Sequence, residues 1–126
     1  MKKTLCTLTG TVVQGQGKGH SVGMPTANLR VPENTVLPKH GVYVAKIDIA
    51  GIIYTGLTHI GLRPSVDASE AVTIETYIMD FSENIYGKTI SIYLCLYLRG
   101  TQKFDSLDAV KRQVEIDCMR AKRFFS

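Results

Sequence analysis

The sequence predicts a mainly β domain of about six strands, mostly antiparallel, with one helix at its C-terminal end, and three observations predict it. Apolar residues alternate with polar ones in segment after segment from Gly41 to Arg99. Gly, Pro and Asp punctuate these segments at short intervals. Helical spacing of apolar residues is sustained in one stretch, after Phe104. Closing the strands into a small barrel leaves no sheet edge exposed. The chain has 126 residues, the size of one domain, and residues 1–126 are read as a single domain.

Leu5 to Val13, rich in Thr, Val and Leu, reads as the first strand. A glycine-dense segment, Gln14 to Gly23, separates it from Met24-Pro25-Thr26-Ala27-Asn28-Leu29, after which Pro32 and Pro38 mark a loop. From Gly41 onward, Tyr43, Ala45, Ile47 and Ile49 share a face opposite Lys46 and Asp48. Ala50-Gly51 turns the chain into a second strand, Ile52 to Ile60. Gly61 to Glu70, with Arg63-Pro64, reads as a loop, and Val72 to Met79 as the next strand, with Val72, Ile74 and Ile78 on one face. Phe81 to Gly87 connects it to the strongest strand, where Ile90, Ile92, Leu94, Leu96 and Leu98 alternate with Ser91, Tyr93, Cys95, Tyr97 and Arg99. In the helix, Leu107, Val110, Val114, Cys118, Ala121 and Phe125 form one stripe. Asp105 or Ser106 caps its start, Asp108 suits the positive end of its dipole, and Arg120, Lys122 and Arg123 suit the other.

The formal charge of +4 suits anionic ligands such as nucleotides without selecting among them. Cys6, Cys95 and Cys118 form no CxxC pair and no zinc spacing, so Cys95 and Cys118 read as small core hydrophobes in a reduced, cytoplasmic setting. The stretch after Lys2-Lys3 is broken by Thr4, Thr7, Thr9 and Gly10 and is not a secretory signal. No apolar run approaches the ~20 residues that cross a bilayer, so a soluble chain is expected.

Four segments carry residues suited to chemistry. Gly15, Gly17, Gly19 and Gly23 give a backbone able to turn N–H groups toward an anion, with Lys18 and His20 adding charge; a surface loop without a ligand is the alternative. GxxxxGK[ST] is absent, and His20 stands where the third glycine of a dinucleotide fingerprint belongs. Thr26 and Asn28, two apart in an extended segment, offer hard oxygen donors to one face, as Mg²⁺ prefers; a solvated turn exit is the alternative. Glu75 lies opposite Ile74 and Ile78, either solvated or, if that face lines a cleft, a general base. Arg99 and Phe104 flank a short loop and can stack on a planar heterocycle, or serve as a strand end and a core aromatic.

In order along the chain, these pieces resemble the riboflavin kinase family. The resemblance runs through Gly10, Val12, Val13, Gly15, Gly17 and Gly19, then Gly23-x-Pro25-Thr26-Ala27-Asn28-Leu29 and Gly41-Val42-Tyr43. It continues through Ile60-Gly61-x-Arg63-Pro64, Ile74-Glu75-Thr76-Tyr77-Ile78-x-Asp80-Phe81, Tyr86-Gly87, Tyr97-Leu98-Arg99 and Phe104-Asp105-Ser106-Leu107. It implies a six-stranded antiparallel Greek-key β-barrel with a C-terminal α-helix, and ATP-dependent phosphorylation of riboflavin at its 5′-hydroxyl to give FMN. It also implies roles. Gly15, Gly17, Lys18, Gly19, His20 and Ser21 cover the ATP phosphates, and Tyr86 contacts the nucleotide. Thr26 and Asn28 hold Mg²⁺, and Glu75 is the catalytic base. Arg99, Gln102 and Phe104 surround the flavin. The expected partners are riboflavin/FMN and ATP/ADP, with no nucleic acid and no membrane, and a monomer is expected.

This chain departs from the family's Asn-Ile-Gly-x-Arg-Pro-Thr segment, reading His59-Ile60-Gly61-Leu62-Arg63-Pro64-Ser65. Ser65 keeps a hydroxyl, whereas His59 puts a titratable ring in place of an amide. The nucleotidyltransferase domain that often precedes this module in bacteria has no counterpart in the 126 residues, so FAD synthesis is not expected of them. Two other readings compete: a non-catalytic flavin- or nucleotide-binding regulator on the same barrel, and an OB-type barrel that binds single strands through Tyr93 and Tyr97. The second leaves the glycine segment unexplained.

Overall fold

A computed structural model describes residues 4–13, 26–64 and 70–126. Six strands are β1 (Cys6–Val13), β2 (Ala27–Arg30), β3 (Gly41–Ile49), β4 (Ile52–Pro64), β5 (Glu70–Ile78) and β6 (Thr89–Arg99), followed by the helix α1 (Leu107–Phe125). They close into a barrel in the order β1-β2-β5-β4-β3-β6, every pairing antiparallel. β3, β4 and β5 are successive neighbours and β6 returns beside β3, which makes the connection a Greek key.

The β3–β4 hairpin turns on Ala50 and Gly51, both left-handed at φ 53° and 88°, and the Gly51 N–H donates to Asp48 Oδ1 at 2.9 Å. Two positive φ values in a two-residue loop match the right-handed twist of the flanking strands. Tyr43, Ala45, Ile47 and Ile49 meet Ile74, Ile78, Ile90, Ile92 and Leu94 inside the barrel, as their alternation requires.

Two readings of the strands need correction. Gly61 to Glu70 is not a loop at its ends: β4 runs on to Pro64 and β5 starts at Glu70, with Pro64 paired to Glu70, and residues 65–69 lie outside the described residues. Gly, Arg and Pro are poor local strand signals, yet cross-strand pairing extends the hairpin through them, and Pro64 stands at a strand end where its missing N–H is tolerated. The second correction concerns β6. Ala45 pairs with Leu94 but Val44 pairs with Leu96, so Cys95 is an extra residue; Tyr43 pairs with Tyr97 but Val42 with Arg99, so Leu98 is another. Each irregularity breaks the period of two. Leu96 and Leu98 therefore leave the interior face of Ile90, Ile92 and Leu94 and join the outer cluster beneath α1.

That outer cluster joins Val42, Val44, Leu57 and Met79 to Val114 and Ala121 of the helix, with Val110, Cys118 and Phe125 packed against it. Leu107, the first member of the predicted stripe, is exposed. Ser106 is the N-cap: its Oγ accepts from the Ala109 N–H at 3.1 Å, with Asp108 in the first turn. Among the described residues no helix is long and apolar enough to cross a membrane.

Candidate active site

Register alone assembles most of the site. Asn28 on β2 pairs with Glu75 on β5, Glu75 with His59 on β4, His59 with Val42 on β3, and Val42 with Arg99 on β6. Residues directly opposite one another project to the same side of a sheet, so these five form one row across the outer face. α1 then lies over the part of the row nearest β3 and β4.

Glu75 is not a solvated strand residue, since only 3% of its surface is exposed. Burying a carboxylate costs several kcal/mol unless polar partners replace water. The Thr26 hydroxyl donates to Glu75 Oε1 at 3.4 Å, and His59 Nδ1 stands 3.9 Å from Oε2. His59 Nε2 lies 2.9 Å from Thr101 Oγ1, in the loop after β6.

Arg99 ends the row in a second charged cluster. Its Nε and Nη2 donate to Asp117 Oδ2 at 3.0 and 2.8 Å, and Gln113 Nε2 donates to Asp117 Oδ1 at 3.0 Å. Asp117 is fully buried on α1, so this pair fastens the helix to the barrel. The remaining guanidinium nitrogen, Nη1, faces the carbonyl of Gly100 and Oε1 of Gln102, each at 3.5 Å, and the guanidinium carbon stands 5.8 Å from the Phe104 ring centroid.

Two concavities open along this row, and a third adjoins them at Thr26. A cleft of about 370 Å³ is lined by Thr26, Ala27, Thr76, Ile78 and the β5–β6 connection from Phe81 to Tyr86. That volume lies within the ordinary range of small-molecule sites. A second, of about 90 Å³, is bounded by Val42, His59, Arg99, Thr101, Gln102, Phe104 and the helix residues Val110 and Val114. Between them is a slot of about 20 Å³ that has Thr26 in common with the first and His59 and Arg99 with the second; Glu75 is in its wall.

The sequence-predicted residues fall as follows. Thr26 and Glu75 touch, and Asn28 is in register with Glu75. Tyr86, largely exposed, shares the larger cleft with Thr26. Arg99, Gln102 and Phe104 share the smaller one. Gly15, Gly17, Lys18, Gly19, His20 and Ser21 lie outside the described residues. Sequence reasoning missed Asp117 and Thr101. Asp117 had a signal: an acid three residues after Val114 and four before Ala121, on the apolar stripe of a helix. Thr101 had none, because its contact with His59 spans 42 residues.

A family model described as riboflavin kinase matches residues 3–125. The chain belongs to the riboflavin kinase family. A bifunctional riboflavin kinase/FMN adenylyltransferase of Listeria monocytogenes is 36% identical over 120 residues, covering 95% of this chain and 38% of that protein. A chain from Streptococcus pneumoniae crystallised as a macrolide-efflux protein has the same fold at TM-score 0.81 and 34% identity, covering 92% of this chain and 38% of its own. Riboflavin kinase of Trypanosoma brucei, at TM-score 0.67 and 21% identity over 94% of this chain and 78% of that one, shares the barrel. The chain thus spans 38% of the length of the bifunctional relatives that it matches.

Proposed function

We propose that this chain transfers the γ-phosphoryl group of ATP to the 5′-hydroxyl of riboflavin, giving FMN and ADP, with residues 1–126 acting as a single-domain monomer in the cytoplasm. The observation that carries the reading is the contact of Thr26 with Glu75 in the slot between two clefts. Phosphoryl transfer needs the two substrates held in line, charge stabilised on the moving oxygens, and little covalent chemistry. Two concavities with one carboxylate between them suit that demand.

In this reading the larger cleft, with Tyr86 on its rim, takes the nucleotide, and the glycine segment with Lys18, His20 and Ser21, which lies outside the described residues, would cover the phosphates. Arg99, Gln102 and Phe104 take the flavin: Phe104 offers a ring face and Arg99 Nη1 a donor. Thr26 and Asn28 fit Mg²⁺ as a pair of neutral oxygen donors beside a carboxylate, and that ion keeps most of its remaining positions for water and phosphate. Bound there, it would neutralise phosphate charge. Glu75 accepts the proton from the 5′-hydroxyl as the new O–P bond forms and the bond to ADP breaks. A positioned base contributes about 10²–10⁴-fold. The free thiols of Cys6, Cys95 and Cys118 accord with a reducing compartment.

The test is FMN formation from riboflavin, ATP and Mg²⁺, read by mass spectrometry. The unaltered chain is expected to form FMN, and Glu75→Gln to fold normally and lose about 10²-fold or more in kcat. No FMN from the unaltered chain would retire the reading; normal turnover by Glu75→Gln would retire the base.

A further inference from the structure

His59 is built into the site more closely than a chance neighbour of Glu75 would be. Its Nδ1 is buried without a hydrogen-bond partner, at 3.9 Å from Glu75 Oε2. An orphaned buried nitrogen carries an appreciable cost, so its orientation toward a carboxylate calls for an explanation. Its other nitrogen is engaged by the Thr101 hydroxyl at 2.9 Å. Space for the ring comes from Gly61, two residues along the same strand face, where a Cβ would stand 2.8 Å from His59 Cε1 and 2.9 Å from Nε2. Glycine and hydroxyl therefore fix the imidazole on two sides and leave Nδ1 aimed at the carboxylate.

We propose that His59 is the positioning residue for Glu75: Thr101 donates to Nε2, holding the Nδ1–H tautomer, and Nδ1–H orients the Glu75 carboxylate toward the hydroxyl it deprotonates. A neutral imidazole has one donor and one acceptor nitrogen, and the bond made at one determines the other. The 3.9 Å separation exceeds a hydrogen bond by most of an ångström, and it closes when the substrate seats Glu75 in its working position. His59 itself never touches the reacting atoms. The kinetic part of this inference rests on the phosphotransfer proposed above; the tautomer does not.

Two measurements test it. In a two-bond ¹H–¹⁵N spectrum of the labelled chain at about pH 8.5, two units above the ordinary imidazole range, His59 is expected as Nδ1–H. Its signals are assigned by their loss in His59→Asn. Thr101→Val, on an exposed loop, is expected to shift it toward Nε2–H. Kinetically, His59→Leu is expected to lose about tenfold in kcat with the riboflavin KM nearly unchanged, the value of one orienting hydrogen bond. His59→Asn puts an amide N–H where Nδ1 stands and is expected to recover most of that loss. An Nε2–H tautomer in the unaltered chain, or no response to Thr101→Val, overturns the proposal, as does an Asn variant no better than Leu. A chain that forms no FMN but shows the Thr101-dependent tautomer retires the phosphotransfer reading and leaves the histidine geometry standing.

Discussion

Thr26 has two possible duties, and they are separable. Its hydroxyl donates to Glu75 at 3.4 Å, a long bond that a second acceptor or a cation would readily compete for. If the oxygen also serves Mg²⁺, Thr26→Ala removes a ligand as well as a hydrogen bond. The expected outcome is a rise of several-fold in the Mg²⁺ concentration giving half-maximal turnover, restored by Thr26→Ser. A metal titration at saturating ATP checks it, and an unchanged Mg²⁺ dependence with lower kcat would leave Thr26 only as a partner of Glu75. Period-two alternation already placed Glu75 opposite Ile74 and Ile78. Its burial was not legible, because its neighbours Thr26 and His59 come from other parts of the chain, and no local pattern encodes them.

At the scale of elements, the fastening of α1 is the feature most open to measurement. Arg99 reaches Asp117 from the outer face of β6, in register with Val42; the extra residues at Cys95 and Leu98 together leave Arg99 on that face and move Leu96 and Leu98 to the helix side. Strict alternation along β6 would have predicted all its leucines in the interior, and the sequence reading did so. Bulges are set by how a barrel closes, which the residues of a single strand do not record. Removing one partner of a buried pair leaves the other charge unsolvated, so Asp117→Ala is expected to cost about 3–5 kcal/mol of stability in urea unfolding. Arg99→Met combined with Asp117→Leu, which removes both charges and keeps volume, is expected to recover most of that loss. The double variant is still expected to bind riboflavin several-fold more weakly, because the Nη1 donor beside Gln102 and Phe104 is gone. Recovery of both stability and affinity would reduce Arg99 to a fastening residue.

For the molecule as a whole, barrel and helix bury several groups that carry charge only at high pH, and this gives the fold a direction of pH sensitivity. Burial, with a smaller contribution from neighbouring Asp117, pushes the Cys118 thiol up to about 11. Burial also raises the Tyr77 phenol on the facing strand, Tyr43 inside the barrel and the Cys95 thiol at the bulge. In each case the folded chain holds its proton more tightly than the unfolded chain, so the unfolded state loses protons first as pH rises. Their contribution is complete below the unfolded thiol value, near 9, and is lost as pH climbs through the folded value. The melting temperature is therefore expected to change little from pH 7 to 8.5 on account of these groups, then to fall by several degrees between about pH 9 and 11. Cys118 sits against the outer cluster that binds α1, so Cys118→Val keeps the packing, removes one titrating group and is expected to flatten part of that fall. A melting curve that rises over the same interval, or a Cys118→Val variant with an identical alkaline slope, would show that the helix interface does not resist ionisation of this thiol.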